Sequence, residues 1–422
     1  MGDLHLYAED IKKGMPYYIH AIKRAKQLKA YDMRVSIEGM YPKIRLFSPQ
    51  AIKEFVNLEP IQIDREREDR GIGKFMPRSF MHDRSRKKFE TRKRHFLQLL
   101  GINCASKYIP LILEHCDKMI QKWTEVTTVE LNKELNELTF QIFTKILFGN
   151  DIDHVLNKLR PYINNENKIE ELRFEDFFKK LINDYVYAYY HPLSGILPFL
   201  NDYRLVNPFK RNAVNTTTIV DCLKEAVNTS KDNESVCKAL LGDSEKLSKD
   251  GVTYDEIIDD LIVFMIAGSD TSSHATTSLL YFLKKSDACG NPHIHKKVMA
   301  ELADHGFLQG ADNKHLFTKE SIQELNYLNY FIKEGLRYDN PTFDTFGYRT
   351  YQDVEICGVP IPKNTEIRLD LYSMHYNEAE WKDPFEFIPE RFDPESEYFT
   401  TPPGKARSQY SYAAFSHGVR GC

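Results

Sequence analysis

The sequence predicts a large, mainly helical domain with a small β portion, and three observations lead to that fold class. Long stretches place apolar residues at positions i, i+3, i+4 and i+7, which is the spacing of an amphipathic helix. Short β-branched segments occur near the beginning and again after Pro341. No repeat or low-complexity linker divides the 422 residues. At about 150 residues per domain the length allows two or three domains, but we expect one.

The first predicted elements are a hairpin and a capped helix. The segment "MRVSIEGMYPKIRLFS" carries two short β segments divided by a Gly and a Pro. Ser48 then precedes Pro49, an order typical of a helix N-terminus. Helical spacing follows between about Ser85 and Asn150, and Gly149 is a natural helix stop.

The later elements alternate between irregular, helical and β regions. Residues 151–250 are rich in Asn and aromatic residues and are expected to form loops and helices around a variable surface or cleft. A long helix is expected from Thr253, followed by helices over "HKKVMAELADHG" and "KESIQELNYLNYFIKEGLRY". The segment "VEICGVPIPKNTEIRLDLYSM" alternates around a Pro-Lys-Asn turn, which predicts a β-hairpin.

Composition excludes some classes of protein. A net charge of -4 with 28% charged residues argues against a dedicated nucleic-acid binder. Seven scattered cysteines without a CxxC pair indicate reduced thiols. The longest strongly apolar run, "LIVFMIAG", is far shorter than the roughly 20 residues of a spanning helix. Either the protein is soluble, or an anchor precedes Met1.

The stretch "AGSDTSS", Ala267 to Ser273, conflicts with the long helix that contains it. Gly costs about 1 kcal/mol relative to Ala in a helix interior, and Ser, Thr and Asp side chains compete for backbone hydrogen bonds. Such a conflict often marks a kink or a functional polar pocket. The alternative is a helix that ends here and a second, capped helix that follows.

Two further features involve charged residues. Glu334 and Arg337 in "KEGLR" lie three apart on one helical face, where an ion pair can form. The same spacing recurs at Glu170 and Arg173, where a solvated surface pair is the better interpretation. The prolines of "DPFEFIPERFDPES" predict a rigid loop, in which Arg391 either reaches a buried carboxylate or stays in water.

The last feature is the stretch "YAAFSHGVRGC". Gly418 and Gly421 allow the backbone to turn tightly and to approach a flat ligand closely. Arg420 places a cation beside Cys422, which favours the thiolate that binds metals. Phe415 is available to pack against the sulfur or a planar ring. Taken alone, a free terminal cysteine is the commoner explanation.

Together and in this order, "AGSDT", "EGLR", "PERF" and "FSHGVRGC" resemble the signatures of the cytochrome P-450 family of haem-thiolate monooxygenases. The last motif is specific, and the likeness covers nearly the whole chain. It implies the cytochrome P-450 fold over residues 1–422, as a single large domain lacking the final helix and β-hairpin. It also implies haem b (iron protoporphyrin IX) as the cofactor.

By that resemblance Cys422 is the proximal ligand of the haem iron, and a thiolate in that place favours O–O cleavage. Gly418 would let the loop pass close to the porphyrin, and Phe415 would pack beside its proximal face. Arg420 and Arg349 are expected to pair with haem propionates through charge-assisted contacts.

On the distal side the resemblance assigns Asp270 and Thr271 to proton delivery, because a hydroxyl beside a carboxylate can relay protons in a hydrated pocket. Ala267 and Gly268 would leave room for oxygen against the helix. The resemblance also implies a structural triad that braces the haem loop: Glu334, Arg337 and Arg391.

The basic cluster "RKKFETRKR", Arg86 to Arg94, occupies the place of a family helix that usually carries a Trp and a basic propionate ligand. No Trp lies in this window, so two registers stay open: Phe89 with Lys93, or Lys88 with Arg92. The cluster would also suit docking of an acidic electron donor. For most of these residues a solvated helix face is the preferred interpretation.

The resemblance implies a monooxygenase that inserts one atom of dioxygen into an apolar small molecule. Electrons would come from NADPH through a separate reductase, because no segment resembles a flavin or nicotinamide domain. One alternative is a haem-thiolate isomerase or peroxygenase, and the Asp270–Thr271 pair weighs against it. The other is an incomplete, non-catalytic haem-fold fragment. An anchor before this chain would place it on the cytosolic face of the endoplasmic reticulum membrane; otherwise it would be cytoplasmic.

Overall fold

The computed structural model describes residues 17–38, 41–67, 72–190, 207–232, 234–242, 248–288, 293–308 and 313–422. The described residues are mainly helical with small sheets, as expected. The helices are α1 (Tyr17–Gln27), α2 (Pro49–Leu58), α3 (Ile72–Phe75), α4 (Lys87–Leu100), α5 (Ile102–Ala105), α6 (Ile109–Thr124), α7 (Leu131–Phe148), α8 (Asp153–Leu156), α9 (Phe174–Tyr190), α10 (Phe209–Thr229), α11 (Val236–Gly242), α12 (Tyr254–Ala288), α13 (His293–Asp304), α14 (Lys319–Gln323), α15 (Asn326–Tyr338) and α16 (Leu371–His375). The strands are β1 (Met33–Glu38), β2 (Tyr41–Leu46), β3 (Ile63–Arg65), β4 (Arg160–Ile163), β5 (Ile169–Leu172), β6 (Tyr348–Thr350), β7 (Val354–Ile356), β8 (Val359–Ile361) and β9 (Glu366–Leu369).

By internal packing the chain divides into two compact units. The first combines Met1–Asp64, Ser106–Leu138 and Asp270–Cys422, and the second combines Arg65–Ala105 and Thr139–Ser269. The expectation of one domain over residues 1–422 stays a prediction. Among the described residues, no helix is both long and apolar enough to cross a membrane. A segment before Met1 and residues 1–16 lie outside what the structure describes.

The predicted elements near the beginning are confirmed. Strands β1 and β2 pair antiparallel, from Met33 opposite Leu46 to Glu38 opposite Tyr41. The Ser48 hydroxyl accepts the Ala51 N–H at the start of α2, which is the predicted N-cap. The predicted helices that follow are present as α6 and α7.

The first unit has its core around a five-stranded sheet, ordered β1-β2-β9-β6-β3. Leu46, Ile367 and Leu369 on its strands are fully buried. Phe55 of α2 packs edge-on against Tyr348 of β6, with ring centroids 4.8 Å apart. In the second unit, aromatic side chains of α7 and α9 also pack together, for example the tilted pair Phe140 and Phe178, with ring centroids 5.7 Å apart.

The hairpin predicted around Pro-Lys-Asn is wrong in its position. The turn lies at Cys357 and Gly358, which both have positive φ, and it joins β7 to β8. The strand after Pro-Lys-Asn, β9, instead pairs parallel with β2 and antiparallel with β6. Gly is the residue that tolerates positive φ most readily, so the turn formed there and the later turn leads into another sheet.

A second correction concerns Glu170. The sequence predicted loops and helices here, but β4 and β5 form a two-stranded hairpin that contains this residue. Its carboxylate accepts hydrogen bonds from Lys180 and Asn164, each over 2.6 Å. Arg173 is therefore not its partner, because positions i and i+3 do not share a face in a strand.

Candidate functional site

The loop that carries Cys422 is closed by its own backbone. The Cys422 N–H donates to the Phe415 carbonyl over 2.9 Å, and the Gly421 N–H donates to the Gly418 carbonyl over 3.1 Å. Cys422 itself is exposed. The loop therefore holds an accessible sulfur on a turn that these two backbone hydrogen bonds close.

Gly418 is required at its position for two reasons. Its φ of +79° lies in the left-handed region, which residues with a side chain rarely adopt. A Cβ atom there would also lie 1.8 Å from Oε2 of Glu59. The close approach observed at this glycine is to Glu59, a buried carboxylate that the sequence did not indicate, and its approach to a porphyrin stays a prediction.

The surroundings of Cys422 fit a haem bound through sulfur. Phe415 is 59% exposed and Val419 is 40% exposed, although both lie in a loop fixed by hydrogen bonds. Leaving apolar side chains of this size in water is unfavourable. A flat apolar group laid on the loop would cover them while its metal met the thiolate.

The two arginines predicted to meet propionates contact different groups in the structure. The Arg420 side chain is 2% exposed, and its Nη2 lies 3.8 Å from Oδ1 of Asp64, a partner that the sequence did not indicate. Arg349, half-buried in β6, donates from Nη1 to the Asn364 carbonyl over 2.6 Å. Their pairing with propionates stays a prediction.

Glu334, Arg337 and Arg391 are brought together with completely buried side chains. Arg337 donates to both Glu334 carboxylate oxygens over 2.8 Å, and Arg391 donates from Nε to Oε1 of Glu334 over 3.2 Å. The interpretation in which Arg391 stays in water is therefore wrong. Arg391 also donates to the carbonyls of Lys382 and Asp383, so its charge stabilises the turn before the PERF motif.

His375 connects this triad to the cysteine loop. Arg337 donates to the His375 carbonyl over 2.8 Å, and the His375 Nε2 accepts the Ala413 N–H over 3.0 Å. Burial, reinforced by the Arg337 charge, lowers the pKa of His375 to about 3, which keeps the ring neutral and Nε2 free to accept. No motif marks His375, so sequence reasoning missed it.

The polar stretch predicted for proton delivery lies inside one unbroken helix, α12. The alternative of two helices is therefore wrong. The backbone conflict is relieved locally, since the Ser269 hydroxyl donates to the Met265 carbonyl over 2.6 Å. Asp270 is exposed and Thr271 half-buried, and Asn136 donates to Oδ1 of Asp270 over 3.3 Å.

Gly268 has a different role from the one expected. A Cβ atom built on it would lie 2.2 Å from the ring of Phe143 in α7. The space that its missing side chain leaves is therefore filled by Phe143 and is not open for oxygen. Ala267, the preceding residue, is exposed.

The basic helix α4 also requires a correction. Arg92 is not on a solvated face: its side chain is 1% exposed and donates to both oxygens of Asp260, over 2.6 and 2.8 Å. It also donates to Asp83 over 2.8 Å, and Lys88 pairs with Glu256 over 2.6 Å. Both side chains of the Lys88–Arg92 register are thus engaged inside the fold.

In the other register, Phe89 is buried and the Lys93 ammonium lies 5.8 Å from its ring centre. Lys93 itself is half-buried at the surface of α4. Arg86, Lys87 and Arg94 are exposed, as the preferred interpretation of the cluster expected.

Comparisons with known proteins agree with this geometry. The family model described as Cytochrome P450 matches residues 27–422. Cytochrome P450 3A11 of Mus musculus is 27% identical over 436 residues, which cover 97% of this chain and 80% of the relative. Cytochrome P450 3A2 of Rattus norvegicus is 26% identical with the same coverage. The solved structure of retinoic acid bound cyanobacterial CYP120A1 superposes with a TM-score of 0.71 at 17% identity, over 95% of this chain and 81% of that one.

Proposed function

The chain belongs to the cytochrome P450 family, and from this premise we propose how its residues serve a haem-thiolate monooxygenase. The observation that carries the proposal is the exposed Cys422 on a hydrogen-bonded loop beside the exposed Phe415. When bound, the haem supplies the activation of dioxygen, and a thiolate ligand favours O–O cleavage. Every other step depends on the chain's own side chains.

On the loop, the Cys422 thiolate would hold the iron of haem b and Phe415 would pack against its ring. Gly418 allows the loop backbone to lie close to Glu59, which fixes the position of the loop. Arg420 and Arg349 supply positive charge for propionates. The contact between Arg420 and Asp64 supports this role, because it fixes the guanidinium before any ligand arrives.

On α12, the Thr271 hydroxyl holds a proton at Oγ1 and would pass it on during dioxygen activation. The Asp270 carboxylate takes up a proton from solvent and replaces the one that Thr271 gives up, and the Asn136 amide orients it by donating to Oδ1. Ala267, exposed one turn before, leaves space on the same helix. The adjacent acid and hydroxyl are the feature that favours monooxygenation over the isomerase or peroxygenase alternative.

The substrate is an apolar small molecule, and the electrons come from NADPH through a separate reductase. Family members of this kind receive electrons from a partner protein, and the exposed cations Arg86, Lys87 and Arg94 on α4 suit an acidic donor. Eukaryotic members usually lie at the endoplasmic reticulum, so we propose its cytosolic face for this chain if an anchor precedes it, and the cytoplasm otherwise. Cell fractionation against a reticulum marker tests the location.

A carbon monoxide spectrum of the reduced, purified chain tests the function. A strongly red-shifted Soret band is expected for thiolate-ligated haem, and Cys422→Ser should abolish that shift. Cys116→Ser, which changes a half-buried thiol on α6, is the matched control and should leave the band unchanged. Absence of any haem spectrum from the wild-type chain would overturn the proposal.

The proton-delivery assignment has its own test. Thr271→Ala should uncouple oxygen consumption from product formation, because the hydroxyl that passes the proton is lost. Thr276→Ala, on an exposed position of the same helix, is the control. Unchanged coupling in Thr271→Ala would show that the assignment is wrong, and equal turnover with peroxide alone would favour the peroxygenase alternative.

A further inference from the structure

An ion pair lies one helical turn after Thr271. His274 is on α12, and its Nε2 lies 3.2 Å from Oδ2 of Asp339. Asp339 caps the C-terminal end of α15, the helix that carries Glu334 and Arg337. The pair therefore joins the helix with the proposed proton-delivery residues to the helix with the buried triad.

The Asp339 carboxylate is fixed by donors from two elements. The Ser278 hydroxyl on α12 donates to Oδ2 over 2.6 Å. The Tyr372 hydroxyl on α16 lies 3.1 Å from Oδ1 and 2.9 Å from the Asn340 carbonyl. His274 and Ser278 are four residues apart, so both reach Asp339 from one face of α12.

The charges agree with a defined ion pair. The hydrogen bond to Asp339 raises the pKa of His274, which is otherwise near 6.5. Burial raises the pKa of Asp339, but the donors His274, Ser278 and Tyr372 outweigh it, so the net change is downward. Among the residues that the structure describes, Asp339 from α15 is the titratable group that contacts His274, and the Tyr372 phenol from α16 contacts the same carboxylate.

We propose that His274 and Asp339 are a positioning pair, which holds the turn of α12 carrying Asp270 and Thr271 against the end of α15. The effect on catalysis rests on the proposed function. Residues three apart on a helix are neighbours, so a rotation of α12 that separates His274 from Asp339 also moves Thr271. The side chain of His274 is 47% exposed, so its ring exchanges protons directly with bulk solvent.

The sign of the pH dependence follows from the direction of the His274 shift. Its pKa is higher in the folded chain than in the unfolded chain. The stabilisation is therefore complete below the unfolded value near 6.5 and is lost as pH rises through the folded value. Coupling of oxygen consumption to product formation should fall over the same interval.

The first measurement follows unfolding by denaturant as a function of pH and does not depend on catalysis. The wild-type chain should lose stability through the interval above pH 6.5. His274→Gln and Asp339→Asn should each remove that loss, whereas His274→Lys should keep the pair charged throughout. His293→Gln, at an exposed histidine that begins α13, is the control and should keep the wild-type profile. If His274→Gln keeps the wild-type dependence of stability on pH, the proposed pair is wrong.

The second measurement is the coupled fraction with reductase and NADPH. His274→Gln should lower it about two- to five-fold below pH 6.5, a size set by a partly exposed ion pair. His274→Lys should restore coupling and flatten its pH profile, which a merely structural loss would not do. If His274→Gln couples as well as the wild type, the positioning role fails. If the wild type shows no coupled turnover, the proposed function fails with it, and unfolding still decides whether the pair exists.

Discussion

Two buried clusters, one in each compact unit, combine arginine with carboxylate side chains but have opposite charge balance. In the first unit, Arg337 and Arg391 share one carboxylate, Glu334. In the second unit, Arg92 lies between two carboxylates, Asp260 and Asp83. The first cluster therefore has an excess of positive charge and the second an excess of negative charge.

Different groups compensate the excess charge in the two clusters. Backbone carbonyls, including those of Pro384 and Glu386, accept the remaining hydrogens of Arg337. Burial lowers the pKa of Arg391, with the Arg337 charge acting in the same direction. In the other cluster, burial raises the pKa of Asp260 to about 7 despite its hydrogen bonds to Arg92. Arginine and carboxylate side chains thus form one cluster that stays charged and another that takes up a proton near neutral pH.

The largest effect is expected from Glu334→Gln. It leaves two buried guanidinium groups without a carboxylate, and arginine cannot become neutral by losing its proton. The free energy of unfolding should fall by about 3–5 kcal/mol, as for a broken buried pair. Urea denaturation measures it. Glu114→Gln, which breaks an exposed pair with Lys118 on α6, should lower the free energy of unfolding by under about 1 kcal/mol. Similar losses in Glu334→Gln and Glu114→Gln would contradict this prediction.

A smaller effect is expected from Arg92→Met, because Asp260 can take up a proton when its partner is lost. The loss at pH 5 should be below the range of about 3–5 kcal/mol for a broken buried pair, and it should grow at pH 8. The folded pKa of Asp260 lies above the unfolded value of 3.8, so stability is lost as pH rises towards about 7. Denaturation at the two pH values measures this. Equal losses of stability at both pH values would refute this prediction, and Arg94→Met, at an exposed position of the same helix, is the control.

The smallest of the three effects is expected from His375→Phe, which leaves the Ala413 N–H without its acceptor. Stability at pH 8 should fall by about 1–3 kcal/mol. The wild-type chain loses stability as pH falls from 6.5 towards about 3, since only the unfolded ring takes up a proton there. The deficit of the variant should therefore shrink in acid. Denaturation at pH 8 and pH 5 tests this against His375→Gln, which keeps an acceptor and should show a smaller deficit at pH 8.

Much of the fold could be predicted because its signals are local. Apolar spacing predicted α6, α7, α12 and α15, and an N-cap serine predicted the start of α2. Turn position was less predictable, because the alternation around Pro-Lys-Asn suits either of two strand pairings. The structure used the glycine turn at Gly358 and placed β9 beside β2, a choice that depends on residues more than 300 positions earlier in the chain.

The candidate site divides in the same way. By itself the sequence determined the motif order and indicated the family, and it predicted Cys422, Asp270 and Thr271 as site residues, because each is marked by spacing along the chain. Only the tertiary structure decided that Arg391 reaches Glu334, 57 positions away, and that Arg92 is buried against Asp260, 168 positions away. It also placed His274 beside Asp339 and filled the space at Gly268 with Phe143. The physical reason is that burial sets the strength and the protonation of these contacts, and burial is a property of the packed chain, which local spacing does not specify.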